Sequence, residues 1–289
     1  MKLAKIPVSV VIPVRNEETN LPRCLGRLTD FEQVVVVDSS STDRTRDIAL
    51  QFGARYVNFE WDGKFPKKRN WFMMNHQIPT EWILFLDADE FVGDDFKAAL
   101  PAALADLTVA GYWISYTNYF MGRRLDHGLP QRKLALFRIG NGLFERIEED
   151  HWSRLDMEVH EHPIIEGQVG EIKVRIDHDD DRGMRKFIEK HTDYAQWEAQ
   201  RHLAMRSAQR HLAMRSAQRQ ILDIPLTFRQ RTKYRFITAW WYPAGYFVYA
   251  YVFRLGFLDG RAGFVYAAMK FWYFNLIQTF IAELSRPSE

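Results

Sequence analysis

The amino-acid sequence predicts an α/β protein with a parallel sheet that helices cover on both faces. Uncharged runs of strand length occupy residues 8–14, 33–37 and 82–86. Continuous apolar runs of this kind are typical of strands that are buried on both faces. Helical patterns and short loops separate the successive strands, which indicates right-handed parallel β-α-β units.

The elements of the first part have clear boundary signals. Asn16 is a good N-cap for a first helix, which continues to Leu28 with apolar residues at helical spacing. A polar turn follows Asp38 and opens a second helix over residues 44–52, which Gly53 ends. Residues 55–59 are predicted to form a third strand.

The segment WILFLDADEFV, residues 82–92, joins an apolar strand to three acids. In extended backbone Asp87 and Asp89 project to the same side, so both carboxylates can reach one point. Hard oxygen ligands at this spacing suit Mg²⁺ or Mn²⁺, which takes further ligands from phosphates and water. The alternative is an acidic N-terminus for the next helix, and Glu90 fits that role.

Asp38 ends the second strand, at the position where nucleotide-binding α/β folds place an acid near a ribose or base. The first strand is followed by PVRNEE instead of a glycine-rich phosphate loop. A dinucleotide-binding domain is therefore disfavoured. Lys67, Lys68 and Arg69 precede a helix, where cations and free N–H groups favour a diphosphate; a solvated basic loop is the alternative.

The chain resembles the family-2 glycosyltransferases. The resemblance implies the A-type glycosyltransferase fold, a Rossmann-like mixed sheet that is mostly parallel and has helices on both faces. The matching segments are residues 10–17, 35–45, 64–71 and 84–90, within a resemblance that is strong over 8–92 and weaker to about 195. It implies a nucleotide site formed by Pro13, Arg15, Asn16, Glu17, Asp38, Lys68, Arg69, Asp87 and Ala88. It also implies a Mg²⁺ or Mn²⁺ site formed by Asp87, Asp89 and a late histidine, His178, although residues 177–181 could equally form a solvated turn.

Residues 93–181 are predicted to form the acceptor half of a glycosyltransferase domain that spans residues 1–181. Strand patterns occur at residues 111–120 and 133–139. Within the family the chain is similar to the subgroup that adds sugars to lipopolysaccharide cores and related glycolipids. Its Val-His-Glu segment implies Glu161 as the general base, with Asp150 second and Glu158 third; each could also be a solvated surface acid.

Charge and cysteine content limit the location and the partners. Residues 1–181 carry 22 Lys and Arg against 30 Asp and Glu, a net charge of −8, whereas residues 182–289 carry 17 against 7, a net charge of +10. The one cysteine, Cys24, excludes an intramolecular disulfide and fits a reducing compartment. The N-terminal residues lack a signal-peptide pattern, so we expect no secretion.

The basic C-terminal part is predicted to divide in two. Residues 182–235 form a basic helical linker, in which RHLAMRSAQ occurs twice in tandem, at 201–209 and 210–218. Residues 236–289 form an apolar, aromatic helical pair, and 18 of the 42 aromatic residues lie within 234–284. Such a pair beside cations suits a monotopic or re-entrant contact with an anionic membrane. A buried hairpin or a dimer interface is the alternative.

Together these features predict an inverting, metal-dependent transferase that moves a sugar from a nucleotide-sugar, a UDP-sugar, to a lipid-linked or glycolipid acceptor. The expected location is the cytoplasmic face of the inner membrane. Transfer to a polyprenyl phosphate and a non-catalytic sugar-nucleotide-binding scaffold remain open. A nucleic-acid partner is disfavoured because the aromatics lie in apolar runs and do not alternate with cations. The donor sugar, the linkage and the oligomeric state are left open.

Overall fold

The computed structural model describes residues 5–147, 153, 155–157, 162–214 and 228–286. The chain divides into two compact units. One comprises Met1–Arg124 with Pro130–Arg182, and the other comprises Leu125–Leu129 with Gly183–Glu289.

The first unit contains the strands and four helices. The strands are β1 (Ile6–Val14), β2 (Phe31–Asp38), β3 (Arg55–Asn58), β4 (Trp82–Phe85), β5 (Glu90–Phe91), β6 (Val109–Phe120), β7 (Arg123–Leu125), β8 (Arg132–Arg138), β9 (Gly142–Phe144), β10 (Pro163–Ile165) and β11 (Gln168–His178). The helices are α1 (Leu21–Gly26), α2 (Thr45–Gln51), α3 (Lys68–Asn75) and α4 (Asp94–Ala105).

The main sheet is mixed, as predicted, with the strand order β3-β2-β1-β4-β8-β6-β11-β5. The first four strands in this order are parallel to one another, and β6 is parallel to β11. β8 runs antiparallel to both β4 and β6, and β5 runs antiparallel to β11. Separately, β9 and β10 form a small antiparallel pair.

Alternate residues of the central strands are buried against opposite layers of helices. Val10 and Ile12 face a cluster that contains Leu25 of α1 and Phe96 of α4, whereas Val11 faces one that contains Phe72 of α3. This covering explains why the central strands are continuous apolar runs: both of their faces are removed from water.

The prediction that Asn16 caps the first helix is wrong. α1 begins at Leu21, and Asn20 precedes it. Asn16 has a φ of 55°, and its side-chain oxygen accepts a hydrogen bond from the backbone N–H of Thr42 at 2.8 Å. Asn tolerates this left-handed conformation better than most residues do, and a long-range partner competes with local capping.

The second unit is helical. It contains α5 (Gly183–Met214), α6 (Phe228–Phe236), α7 (Tyr242–Val248), a π-helical turn (Tyr249–Phe253), a 3-10 turn (Gly256–Asp259) and α8 (Gly260–Leu284). Ala195 and Ala199 of α5 lie in one apolar cluster with Phe274 and Ile277 of α8. Small residues on one helix and large ones on the other allow the two helices to pack closely.

Polar contacts fix α6 and the segment that follows it. The side-chain amide of Gln278 donates hydrogen bonds to the carbonyl oxygens of Ile237 and Ala239, at 2.9 and 2.8 Å. The buried carboxylate of Glu198 accepts hydrogen bonds from Lys233, at 2.6 Å, and from the hydroxyl of Tyr234, at 2.9 Å.

Within the described ranges, none of the helices is both long enough and apolar enough to cross a bilayer.

Candidate active site

Loops that follow parallel strands meet at one edge of the main sheet. Val14, the last residue of β1, pairs with Asp38, the last residue of β2, and Asp38 in turn pairs with Asn58. The register of β4 on β1 brings the segment after Phe85 to the same edge. Ligands of open α/β sheets bind outside such carboxyl ends.

The loops after β1 and β2 are joined by reciprocal hydrogen bonds. The backbone N–H of Asn16 donates to the hydroxyl of Ser41 at 2.7 Å, and the backbone N–H of Glu17 donates to the hydroxyl of Thr45 at 2.8 Å. Pro13 is buried within β1, whereas Arg15 is exposed in the loop. These contacts give the predicted nucleotide loop one defined shape.

Asp38 is fully buried, and its carboxylate accepts hydrogen bonds from Ser41 and from the hydroxyl of Tyr56, the latter at 2.8 Å. Burial and the Asp38 carboxylate raise the pKa of Tyr56 to about 12, so Tyr56 remains a donor at neutral pH. Asp38 is thus held in a fixed orientation directly after β2.

The three basic residues at the start of α3 are buried, which contradicts the alternative of a solvated basic loop. The ammonium group of Lys68 donates to the carbonyl of Val14 at 2.8 Å and lies 3.3 Å from the Asp156 carboxylate. Burial lowers the pKa of Lys68 although Asp156 opposes the shift. Lys68 therefore fixes the end of β1.

Asp87 is held between two cations. Its Oδ1 accepts a hydrogen bond from Arg69 Nη2 at 2.7 Å, and its Oδ2 accepts one from Lys133 Nζ at 2.5 Å. Burial alone would raise the pKa of Asp87, but Lys133 and Arg69 together lower it well below its usual range. The carboxylate is ionised at every physiological pH.

The expectation that the backbone is extended from Asp87 to Asp89 is wrong. The backbone N–H of Glu90 donates to the carbonyl of Asp87 at 3.0 Å, which makes residues 87–90 a turn, with the buried Ala88 inside it. Asp87 consequently faces Arg69 and Lys133. Asp89 has other neighbours: its Oδ2 lies 3.7 Å from His178 Nε2 and 3.9 Å from Arg182 Nη2.

Glu90 does not open the next helix. It belongs to β5, pairs with His178 of β11 and is 1% exposed. Its carboxylate accepts hydrogen bonds from Lys133, from the backbone N–H of Asp87 at 3.1 Å and from the hydroxyl of Tyr116 at 3.3 Å. Burial raises the pKa of Glu90 and outweighs the opposing charge of Lys133. Through these hydrogen bonds Glu90 helps to hold Lys133 and Asp87 in place.

A hydrogen bond at one ring nitrogen of His178 directs the other ring nitrogen towards Asp89. Nδ1 lies 3.1 Å from the side-chain oxygen of Asn118 and donates to it. In the neutral ring this tautomer leaves the lone pair on Nε2, which faces the Asp89 carboxylate. Burial lowers the pKa of His178, but the charge of Asp89 more than compensates and raises it.

Asp89 and His178 can supply two ligands to a divalent cation whose other ligands come from substrate phosphates and water. No group of three or more acidic, histidine or cysteine side chains is placed to hold a metal in the part of the chain that is described. One carboxylate and one imidazole suit Mn²⁺ or Mg²⁺ when substrate phosphates and waters supply the other ligands. The structure thus places His178 beside Asp89 and places Asp87 among cations.

Arg182 links this pair to the loop after β1. Its guanidinium contacts the carboxylates of Glu17 and Asp180, both at 2.6 Å. Sequence reasoning did not identify Arg182, Lys133, Tyr116 or Asn118. Lys133, Tyr116 and Asn118 lie in predicted strands, which was the one available signal for them; Arg182 gave none.

The predicted general bases lie outside the described residues. Glu161, Asp150 and Glu158 all fall in the undescribed ranges, so their roles remain predictions from the resemblance.

The sheet order, the strand-end acids and the joined loops define a glycosyltransferase with the A-type fold. The chain belongs to the family described as glycosyl transferase family 2, whose sequence profile matches residues 9–158.

The chain is similar in sequence to two named glycosyltransferases and in fold to one solved structure. It is 28% identical over 176 residues, 58% of this chain, to the lipopolysaccharide core biosynthesis glycosyltransferase LpsC of Rhizobium meliloti. It is 33% identical over 89 residues, 28% of this chain, to a 4,4'-diaponeurosporenoate glycosyltransferase of Staphylococcus haemolyticus. The chain spans 61% of the first relative and 24% of the second.

The solved structure is the mannosyltransferase PcManGT of Pyrobaculum calidifontis in complex with GDP-Man and Mn²⁺. The TM-score is 0.51 at 16% identity, and the match covers 98% of this chain and 88% of that one. At this identity the likeness concerns the fold alone.

Proposed function

We propose that the protein is an inverting glycosyltransferase that moves a sugar from a UDP-sugar to a membrane-anchored glycan or lipid. The observation that carries the proposal is the proximity of Asp89 Oδ2 and His178 Nε2, 3.7 Å apart, at the edge where the loops after β1 and β2 are joined. A carboxylate and an imidazole there can share a cation with the diphosphate of a nucleotide.

In the proposed donor complex, Asn16 and Asp38 position the nucleoside. The carboxylate of Asp87, which Arg69 and Lys133 hold in place, orients the donor. Asp89 and His178 would hold Mg²⁺ or Mn²⁺, which would supply positive charge to neutralise the leaving diphosphate. Since Asp87 is ionised and fixed before the donor arrives, little reorganisation accompanies binding.

The transfer step requires a base for the acceptor hydroxyl. A carboxylate removes that proton while the hydroxyl oxygen forms a bond to the anomeric carbon and the bond to the diphosphate breaks. Glu161 is our first candidate, followed by Asp150 and Glu158. Displacement from the opposite side inverts the anomeric configuration.

A membrane-bound acceptor agrees with the surface of the second unit. Large apolar side chains are exposed there, among them Trp240, Phe253 and Leu258. The relative LpsC is named for lipopolysaccharide core biosynthesis. We place the enzyme on the cytoplasmic face of the inner membrane as a peripheral or monotopic protein.

Calorimetric titration with UDP tests the donor site. We expect binding in the presence of Mn²⁺, weak binding with a chelator, and loss of the metal-dependent part in Asp89→Asn. A matched control is Asp94→Asn, because the Asp94 side chain is 92% exposed at the start of α4 and outside the site.

UDP binding that is indifferent to metal and to Asp89 would contradict the proposed metal site. Absence of any UDP binding would redirect the titration to GDP and dTDP. A chain that binds none of the three would support the scaffold alternative.

A further inference from the structure

Asp259 ties a short loop to the turn between α7 and α8. Its carboxylate accepts hydrogen bonds from the backbone N–H groups of Asp126 and His127, at 3.1 and 3.0 Å, and lies 2.9 Å from His127 Nδ1. A second connection runs beside it: the backbone N–H of Gly128 donates to the carbonyl of Arg254 at 2.8 Å. Residues 126–128 are therefore held along the turn by several bonds. We call this set of contacts the Asp259 clamp.

Asp259 is the one acidic residue between positions 224 and 282 of the sequence. Its side chain is 6% exposed, because the clamp surrounds it. A carboxylate that accepts backbone hydrogen bonds has its charge largely compensated. The clamp therefore removes from the surface the one acidic charge of residues 224–282, while Asp126 of the clamped loop stays exposed.

The outer side of the turn is apolar and basic. Phe253 is 72% exposed, and Arg254 and Arg261 are exposed as well. The other exposed apolar side chains of the turn are Val252, Leu255, Phe257 and Leu258. Neighbouring large apolar side chains at a surface mark a binding site, and cations beside them suit anionic headgroups.

The turn is also tightly built. Leu255 has a φ of 59°, and a Cβ on Gly256 would lie 2.9 Å from the carbonyl oxygen of Ala250. A side chain at Gly263 would overlap the carbonyl oxygen of Gly256. Because the backbone is fixed, the exposed side chains are presented with little cost of ordering the backbone on binding.

We propose that residues 252–258 are the element that inserts into an anionic bilayer surface, and that the Asp259 clamp holds loop 125–129 at that surface to meet a lipid-linked acceptor. This rests on the proposed function and names the part of the chain that performs the membrane contact. The loop continues along the chain through Pro130 into β8, whose Lys133 holds Asp87. Along the chain, Leu129 precedes Lys133 by four positions.

Vesicle flotation of the full chain tests the insertion. The probes are phosphatidylcholine vesicles with and without phosphatidylglycerol. Replacing Phe253 and Leu258 together by Ser should weaken binding to the anionic vesicles roughly tenfold or more, since two exposed apolar side chains leave the interface. Leu107→Ser is the matched control: Leu107 is 84% exposed in the first unit, and its change should leave binding unaltered.

Equal losses in the two variants, or no loss in either, would overturn the insertion. So would a change in oligomeric state on replacing Phe253 and Leu258 without a change in vesicle binding, because the turn would then serve a second copy of the chain.

A nitroxide label tests the clamp. Leu129→Cys places the label at the end of the loop, and the native Cys24 is buried in the core of the first unit, where it is protected from reagent. On anionic vesicles we expect the label to be shielded from a water-soluble relaxation agent. Asp259→Ala and His127→Ala should each increase that access while vesicle binding persists. Unchanged access in both variants would overturn the clamp.

The two readouts separate this inference from the proposed function. Neither flotation nor label access requires a nucleotide or an acceptor. Failure of UDP binding with successful flotation would reject the donor proposal alone. UDP binding that survives the loss of vesicle binding would support both proposals. The donor site would then work without lipid, and the turn would contact the membrane independently of it.

Discussion

Lys133 Nζ lies 2.5 Å from Asp87 Oδ2, across the gap between β8 and the end of β4. Burial alone would lower the pKa of Lys133, but Asp87 and Glu90 outweigh it and raise that pKa well above its ordinary value. The ammonium group is therefore charged whenever the protein is folded. It holds the half-buried carboxylate of Asp87 and the buried carboxylate of Glu90 in fixed positions.

Replacing Lys133 by Met should destabilise the protein by about 3 kcal/mol, because Glu90 would remain buried without its cation. Urea denaturation measures the loss. Lys133→Arg keeps the charge and should be milder. Adding Glu90→Gln to Lys133→Met should restore part of the stability, and an additive loss in the double variant would contradict this coupling.

Asn118→Ala should reduce the affinity for Mn²⁺ by about tenfold, because partners of a metal-ligating histidine contribute this much in other proteins. The reason is that Asn118 fixes the ring nitrogen of His178 that faces Asp89. Mn²⁺ titration of UDP binding gives the value. UDP affinity at saturating Mn²⁺ should stay close to that of the wild type, and a large drop there would indicate a general loss of structure instead.

His76 should make the protein less stable as the solution is acidified. Burial and the charge of Arg55 lower the pKa of His76 below its ordinary value of 6.5. Arg55 Nη2 lies 3.2 Å from Nδ1, so that nitrogen accepts and the neutral ring is favoured. The unfolded chain then binds a proton more readily than the folded one. The contribution of His76 to the free energy of unfolding is fully present above pH 6.5. It is lost as the pH drops from there through the pKa of His76 in the folded protein.

Thermal unfolding of the wild type and of His76→Gln over this pH range isolates the effect. The difference in stability between the two proteins should shrink as the pH falls. A constant difference would show that His76 does not titrate between the two states.

Gly263→Ala should destabilise the second unit by about 1–3 kcal/mol, as overpacking does in other proteins. The added methyl group would overlap the carbonyl oxygen of Gly256. Gly245→Ala is the matched control in α7, because its methyl group would meet the Trp241 ring at an ordinary 3.4 Å. That change should be neutral or stabilising, since Ala favours a helix over Gly. Thermal unfolding of both variants checks the contrast.

The parallel part of the sheet could be predicted because its strands are continuous apolar runs that follow one another closely along the chain. The acids at their ends were found for the same reason: Asp38 and Asp87 each interrupt such a run. Local patterns suffice where partners are near in sequence.

The partners of those acids were not predictable, because they come from distant elements. Lys133 reaches Asp87 only through the antiparallel register of β8 on β4. Glu90 has the local character of a helix N-terminus, yet pairing with His178 makes it a strand residue. Asn16 likewise satisfies Thr42 after β2 and not the helix that follows it. In each case a tertiary contact overrode a local preference.

The pairing of Glu90 with His178 also sets an order in time. As the chain leaves the ribosome, β1 to β4 find their parallel partners within a short stretch, whereas β5 must wait for β11. Contacts between distant segments form late because a long loop must close first. We therefore expect the loops after β1 and β2 to form before Asp89 meets His178. A nascent chain that lacks β11 would lack one of the two residues of the proposed cation site, so we expect metal-dependent donor binding only after synthesis has passed residue 178.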